Sequence, residues 1–125
     1  MRLISLMPAM FAASMLVPPE VHAMSCPNVF RGQLNAIGEG RRMWLEFNCY
    51  GCHGNAAAGG MGPNIRGAER GDLSEAVLHG DAMEGGMPSF KGCATSADVK
   101  NIGAYLHSIG TKNEPTWLDW WNAIP

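Results

Sequence analysis

Cys49-Tyr50-Gly51-Cys52-His53 restricts what this chain can fold into more than any other stretch of it. Two thiols separated by two residues can add to the two vinyl groups of one haem, and the histidine that follows then sits under the iron. Two other chemistries share the spacing. A structural zinc site needs a second ligand pair at comparable spacing, whereas Cys26 and Cys93 stand alone in the sequence. A thioredoxin-like redox pair belongs at a strand-to-helix junction of an alternating β/α chain, and no strand alternation appears here. The motif therefore reads as the attachment site of one covalent haem c, with Cys49 and Cys52 bonded to the macrocycle and His53 a ligand of its iron.

The start of the chain places it in a compartment suited to that chemistry. Met1 and Arg2 give a short basic start, Leu3 to Val17 an apolar core, and Val21-His22-Ala23 small residues for peptidase cleavage, so residues 1–23 read as a secretory signal. The apolar run is broken by Pro18-Pro19-Glu20 and is too short for a stable membrane span. Export to the periplasm is expected, with residues 24–125 as one mature domain. The roughly one hundred residues that remain are marginal for burying a large core from protein alone, a shortfall that a covalent apolar cofactor makes up. Nine basic against eleven acidic residues leave neither a nucleic-acid footprint nor a polybasic membrane patch.

Along the mature chain the pattern is one of short helices separated by glycine-rich loops, without repeats. From Glu39 to Phe47 the apolar Met43, Trp44 and Phe47 recur at helical spacing and lead straight into Cys49. Cys49 to Gly71 reads as loop. Ser74 to Gly80 carries a capping serine and a stopping glycine, the punctuation of a short helix. Asp81 to Cys93 reads as loop again. Ser96 is the expected cap of a last helix in which Val99, Ile102, Leu106 and Ile109 share one face and Gly110 ends the run.

A second motif, Gly85-Gly86-Met87-Pro88-Ser89-Phe90, lies on the downstream loop. Low-spin electron-transfer haems commonly take a thioether opposite the histidine, and Met87 is the candidate for it. The glycines allow close backbone approach and Pro88 stiffens the loop. Methionine is also ordinary core filler, and Met83 and Met61 are the rival ligands, although Met61 lies awkwardly close to His53 in sequence. Between the two motifs stands Gly62-Pro63-Asn64-Ile65. Pro63 offers a backbone carbonyl to the second ring nitrogen of His53, which would fix the ring and strengthen its donation to iron. Gly-Pro is equally a plain turn signal. Ile65 is a further candidate for contact with the cofactor, and Arg66 and Arg70 are candidates to hydrogen-bond its propionates, the rival reading being solvated surface arginines.

These stretches together resemble a class I monohaem cytochrome c over nearly the whole mature chain. The resemblance implies an all-α cytochrome c fold, with short helices and loops wrapped around one covalently attached haem. In that family the first and last helices cross, a glycine and an aromatic of the first meeting an aliphatic and an aromatic of the last. Gly40, Trp44, Ile102 and Tyr105 match that set, with Trp44 one residue earlier relative to the first cysteine than the usual aromatic, and Leu45 a candidate for part of the contact. More narrowly, Asn48 to Gly54 and the ending Glu114-Pro115-Thr116-Trp117-Leu118-Asp119-Trp120-Trp121 are similar to periplasmic cytochromes that accept electrons from quinoprotein alcohol dehydrogenases.

That likeness implies a one-electron carrier, not an enzyme, with a quinoprotein dehydrogenase as donor and an oxidase or another cytochrome as acceptor. The alternatives are a permanent haem subunit of a periplasmic oxidoreductase or sulfur-oxidation complex, and a gas-binding haem sensor. No distal histidine or acid-base set near Met87 favours the sensor. The tryptophan tail would either wrap the domain or form a docking patch. Cys26 and Cys93, not needed for one haem, are expected to form a disulfide in an oxidising compartment, the alternative being lipid attachment at Cys26.

Overall fold

The computed structural model describes residues 25–81 and 86–124. The signal expected over residues 1–23 lies outside the described residues, as does Met83. Helix α1 (Ala36–Glu46) begins where the Asn35 side chain accepts a hydrogen bond from the Gly38 N–H at 2.9 Å. This is three residues before Glu39, because the cap and not the apolar periodicity sets the start. A single helical turn, α2 (Tyr50–His53), stands where the sequence reads as loop.

Helix α3 (Arg70–His79) likewise starts earlier than expected, so Ser74 lies inside it and caps nothing. Gly71 reads as a breaker, yet burial of Leu73 and Val77, four residues apart on one face, carries the extra turn. Helix α4 (Ser96–Ser108) is capped by Thr95, one residue before the expected Ser96. The Thr95 hydroxyl accepts from the Asp98 N–H at 3.1 Å while the Asp98 carboxylate accepts from the Thr95 N–H at 2.8 Å. This reciprocal capping box satisfies two backbone donors at once.

Helices α1 and α4 pack against each other through Gly40. A methyl group built on Gly40 would sit 1.9 Å from the Asn101 carbonyl oxygen and 2.9 Å from Tyr105 Cβ, so only glycine lets the two backbones approach. Met43, Trp44, Ile102, Tyr105 and Leu106 are the fully buried side chains around this crossing, each aliphatic contributing about 1.5–3 kcal/mol by leaving water. The four residues matched by resemblance are thus the crossing itself, whereas Leu45 is only partly buried at the core's edge. Helix α3 lays Leu73 and Val77 into the same core beside Gly103.

Both ends of the described chain are strapped onto the pair α1 and α4. On one side Cys26 is disulfide-bonded to Cys93, and Arg31 forms a forked ion pair with Asp98 at 3.0–3.2 Å. The Glu39 carboxylate accepts from the N–H groups of Gly32, Gln33 and Leu34 at 2.8–3.1 Å, and Arg42 donates to the Phe30 carbonyl. On the other side Arg41, only 6% exposed, donates to the carbonyls of Asp119, Trp120 and Asn122 and to the Tyr105 hydroxyl. Its guanidinium lies 4.4 Å from the centre of the Trp117 ring, a cation–π contact. The tail after α4 is not helical, and it divides: Trp117 packs against the core while Trp120 and Trp121 remain largely exposed.

Two outcomes follow from this framework. Gly40→Ala should cost at least the roughly 1–3 kcal/mol typical of overpacking a filled core, read as a lower guanidinium midpoint at unchanged slope; an unaltered midpoint would show that the crossing tolerates a side chain there. Acid stability is the second. Burial pushes the Glu39 and Asp98 carboxyls up, but the three backbone N–H groups and Arg42 for Glu39, and Arg31 and Thr95 for Asp98, hold both below their ordinary values of 4.5 and 3.8. Groups lowered on folding stabilise the fold above those ordinary values and lose that contribution as pH falls through the folded pKa. Stability should therefore hold down to about pH 5 and fall below about pH 4, and Glu39→Gln should flatten that acid limb in a denaturation series.

Candidate functional site

The turn that delivers Cys49 is built by the end of α1. Asn48 adopts a left-handed conformation at φ 56°, and two hydrogen bonds close behind it: Asn48 N–H to the Leu45 carbonyl at 3.1 Å and Cys49 N–H to the Trp44 carbonyl at 3.0 Å. This paired closure is a Schellman cap with asparagine in the place usually taken by glycine. The left-handed turn ties Cys49 directly to Trp44, five residues before it. The chain then re-enters a helical turn, with the His53 N–H bonded to the Cys49 carbonyl at 3.0 Å. Residues three and four apart share one helix face, so α2 groups the side chains of Cys49, Cys52 and His53 on one side. Cys49 is half-buried and Cys52 exposed, both unpaired thiols, and burial pushes the Cys49 thiol up to about 12.

His53 is buried, and its Nδ1 lies 2.9 Å from the Pro63 carbonyl oxygen. A carbonyl can only accept, so Nδ1 carries the proton and Nε2 keeps the lone pair that a metal requires. The loop that brings Pro63 into place folds back on the motif through Gly59 N–H to the His53 carbonyl and Gly62 N–H to the Cys52 carbonyl, both 2.9 Å. Gly62 lies against the imidazole: a methyl group there would fall 2.7 Å from Cε1 and 2.9 Å from Nδ1. Trp44 supports the histidine from the core, with ring centres 6.2 Å apart. Ile65 is tied to the buried Ala57 by its N–H at 3.1 Å and packs partly into the core.

Met87 is held on a separate segment pinned to the end of α3. Its N–H and carbonyl pair with Asp81 at 3.2 and 2.9 Å, the Ser89 hydroxyl donates to the Leu78 carbonyl at 2.6 Å, and the Phe90 N–H reaches the Val77 carbonyl at 2.8 Å. Gly80, at φ 74°, is where this segment presses closest, since a methyl group on it would lie 2.7 Å from both the Met87 carbonyl oxygen and the Ser89 nitrogen. Met87 packs partly against the core, whereas Met61 is 87% exposed. Arg66 donates from Nε to the Ala56 carbonyl at 2.6 Å and so stays with the loop that follows the motif. Arg70 lines a different cleft, between the starts of α1 and α3 and the face of α4, with Glu69, Lys100 and His107.

Asn48 reads in the sequence only as part of the motif phrase and Gly80 only as a helix stop, and Arg41 is given no part in the site. Nothing in the sequence marks Arg41. The cysteines share a face with an imidazole whose free nitrogen is Nε2, and Cys26 and Cys93 are bonded to each other, which removes them as a second zinc pair. That donor set fits a covalently attached haem.

The architecture is the all-α cytochrome c fold, and the class it defines is that of c-type cytochromes. Residues 35–106, more than half of the chain, match the family model described as cytochrome c oxidase, cbb3-type, subunit III, and the chain belongs to that family. Membership implies a covalently bound haem c with iron and an electron-transfer role. Comparison with curated protein sequences gave no match. Among solved structures, cytochrome cL of the marine methylotrophic bacterium Methylophaga aminisulfidivorans is similar at 23% identity and a TM-score of 0.46, over 58% of this chain and 52% of its own. The chain thus spans about half the length of that protein. A c-type cytochrome NirC is similar at 27% identity and a TM-score of 0.50, over 67% of this chain and all of its own. Among the described residues no helix is long and apolar enough to cross a membrane.

Gly62→Ala should displace the His53 ring. The expected result is about 1–3 kcal/mol of lost stability together with a high-spin fraction in the ferric absorption and electron paramagnetic resonance spectra. A fully low-spin, equally stable variant would show that the ring is not held against Gly62.

Proposed function

We propose that this chain is a periplasmic one-electron carrier in which Cys49 and Cys52 hold one haem c, and His53 and Met87 are the two iron ligands. The observation that carries the reading is the His53–Pro63 hydrogen bond, which leaves Nε2 as the donor atom on the face that also bears both cysteines. When bound, the haem supplies the reversible one-electron chemistry of iron. The residues of the chain do the rest. Pro63 and Gly62 fix the imidazole plane, and the Gly80 contact together with Pro88 restrains the segment bearing Met87, so that a weak thioether ligand is kept in place. Arg66 and Ile65, on the loop after the motif, remain the candidates for cofactor contact there. Arg70, in the cleft with Glu69, Lys100 and His107, is the other candidate for a propionate.

The donor we propose is a quinoprotein alcohol dehydrogenase, on the resemblance of the motif and tryptophan tail, with an oxidase or another cytochrome as acceptor. The family description favours one second reading. It names an oxidase subunit, so a haem subunit held permanently in a larger complex is the alternative to a free shuttle.

Absorption spectra of the oxidised and reduced protein, with and without carbon monoxide, test the ligand set. The wild-type protein should be low-spin in both states and bind no carbon monoxide, and Met87→Ala should bind it readily. Unchanged spectra in Met87→Ala would move the ligand to Met83 or Met61. Stopped-flow reduction by a quinoprotein alcohol dehydrogenase tests the donor, and reduction no faster than by free quinol would remove it.

A further inference from the structure

Trp120 and Trp121 stand 51% and 60% exposed, with Leu118 and Ile124 exposed beside them in sequence. Large apolar side chains gathered on a surface mark places where something else binds. These are not loosely held. The Trp120 ring meets the Tyr50 ring edge-on at 5.8 Å, and Trp121 meets Trp120 edge-on at 5.6 Å. Tyr50 lies between the two motif cysteines, so an unbroken aromatic line runs from the cofactor-binding turn to the surface. The buried Arg41 fixes the outer end of that line by binding the carbonyls of Asp119, Trp120 and Asn122. A core guanidinium that holds backbone carbonyls leaves the two indoles facing outward instead of folding them in.

We infer that Trp120 and Trp121 form the electron port of the protein: the redox partner seats on them, and the electron crosses between that face and the haem through the Trp120–Tyr50 contact. This rests on the haem-carrier reading above. One electron passes, no bond forms or breaks and no proton moves, with Tyr50 and Trp120 remaining neutral as the medium between donor and acceptor. The partner is a second redox protein with an apolar contact centre and a basic rim, because the tail after α4 carries Glu114 and Asp119, the latter next to Trp120, against the single base Lys112, eight residues before Trp120. Arg41 is a positioning residue in this scheme. Complementary charge at such a rim raises the association rate more than the affinity.

The test uses the full holoprotein and the exposed substitution Trp120→Leu, which leaves Arg41 and the core untouched. A ruthenium polypyridyl photoreductant is attached at Trp121→Cys, or at Lys100→Cys on α4 as the control site, and the rate of haem reduction after a flash is measured in each background. Trp120→Leu should slow transfer from position 121 at least tenfold, leave transfer from position 100 unchanged, and leave the midpoint potential where it was. Oxidation by a small basic cytochrome c should slow by a similar factor with its salt dependence unchanged, because Trp120→Leu removes no charge, while oxidation by ferricyanide should not change. Equal flash rates in the two backgrounds overturn the port. Dimerisation in sedimentation that Trp120→Leu abolishes, with the rates unchanged, assigns the patch to a second copy of the chain and also overturns it. A wild-type protein without covalent haem removes the carrier reading and the port together, which separates that failure from failure of the port alone.

Discussion

The approach of α1 and α4 at Gly40 is the constraint on which the rest of the structure depends. The two backbones meet where no side chain fits, and this fixes how Trp44, Tyr105, Ile102 and Leu106 interlock. Everything that builds the site is referred to α1 once it is fixed. Its last turn ends in the left-handed Asn48, which aims Cys49 and sets the helical turn that follows. Its side chain Trp44 backs His53 from inside. A small chain with a modest core gains rigidity by routing its functional turn directly out of its best-packed element.

The same helix organises both ends of the described chain with neighbouring side chains. Glu39 and Arg42 hold the amino-terminal strap, and Arg41, between them in sequence, holds the carboxyl-terminal tail. The charges differ because the groups they meet differ. Three convergent N–H groups require an anion, and three convergent carbonyls require a multidentate donor, for which a planar guanidinium is suited. The disulfide between Cys26 and Cys93 ties the first strap to the segment leading into α4, so the amino-terminal extension, α1 and α4 are linked covalently as well as by packing.

Much of this was legible in the sequence. The spacing of the motif stated the chemistry, because vinyl addition and iron ligation depend on residues that are adjacent in the chain. Helical periodicity found α1 and α4, and resemblance found Gly40, Trp44, Ile102 and Tyr105 as the crossing. Ser74 and Ser96 look like caps in the sequence, and neither begins its helix in the structure by capping it. The actual limits were set by burial of Leu73 in α3 and by the Thr95–Asp98 reciprocal bond in α4, which depend on a residue's surroundings more than on its type. The tryptophan tail reads as either a wrap or a docking patch, and the structure divides it, Trp117 packing inward and Trp120 and Trp121 facing out, because Arg41 holds its backbone in a non-helical path.

By itself, then, the sequence determined what could bind and the helical class of the fold, since those follow from local spacing and from apolar period. Tertiary structure alone decided how the bound group would be presented: the glycine against the His53 ring, the tie of Arg66 to the Ala56 carbonyl, the place of Arg70 beside Lys100 and His107, and the exposure of two tryptophans, one of them on Tyr50. The reason is physical. Each of these depends on a contact between residues distant along the chain or between side chains and loop backbone, and no local pattern of residue types encodes the distance between them.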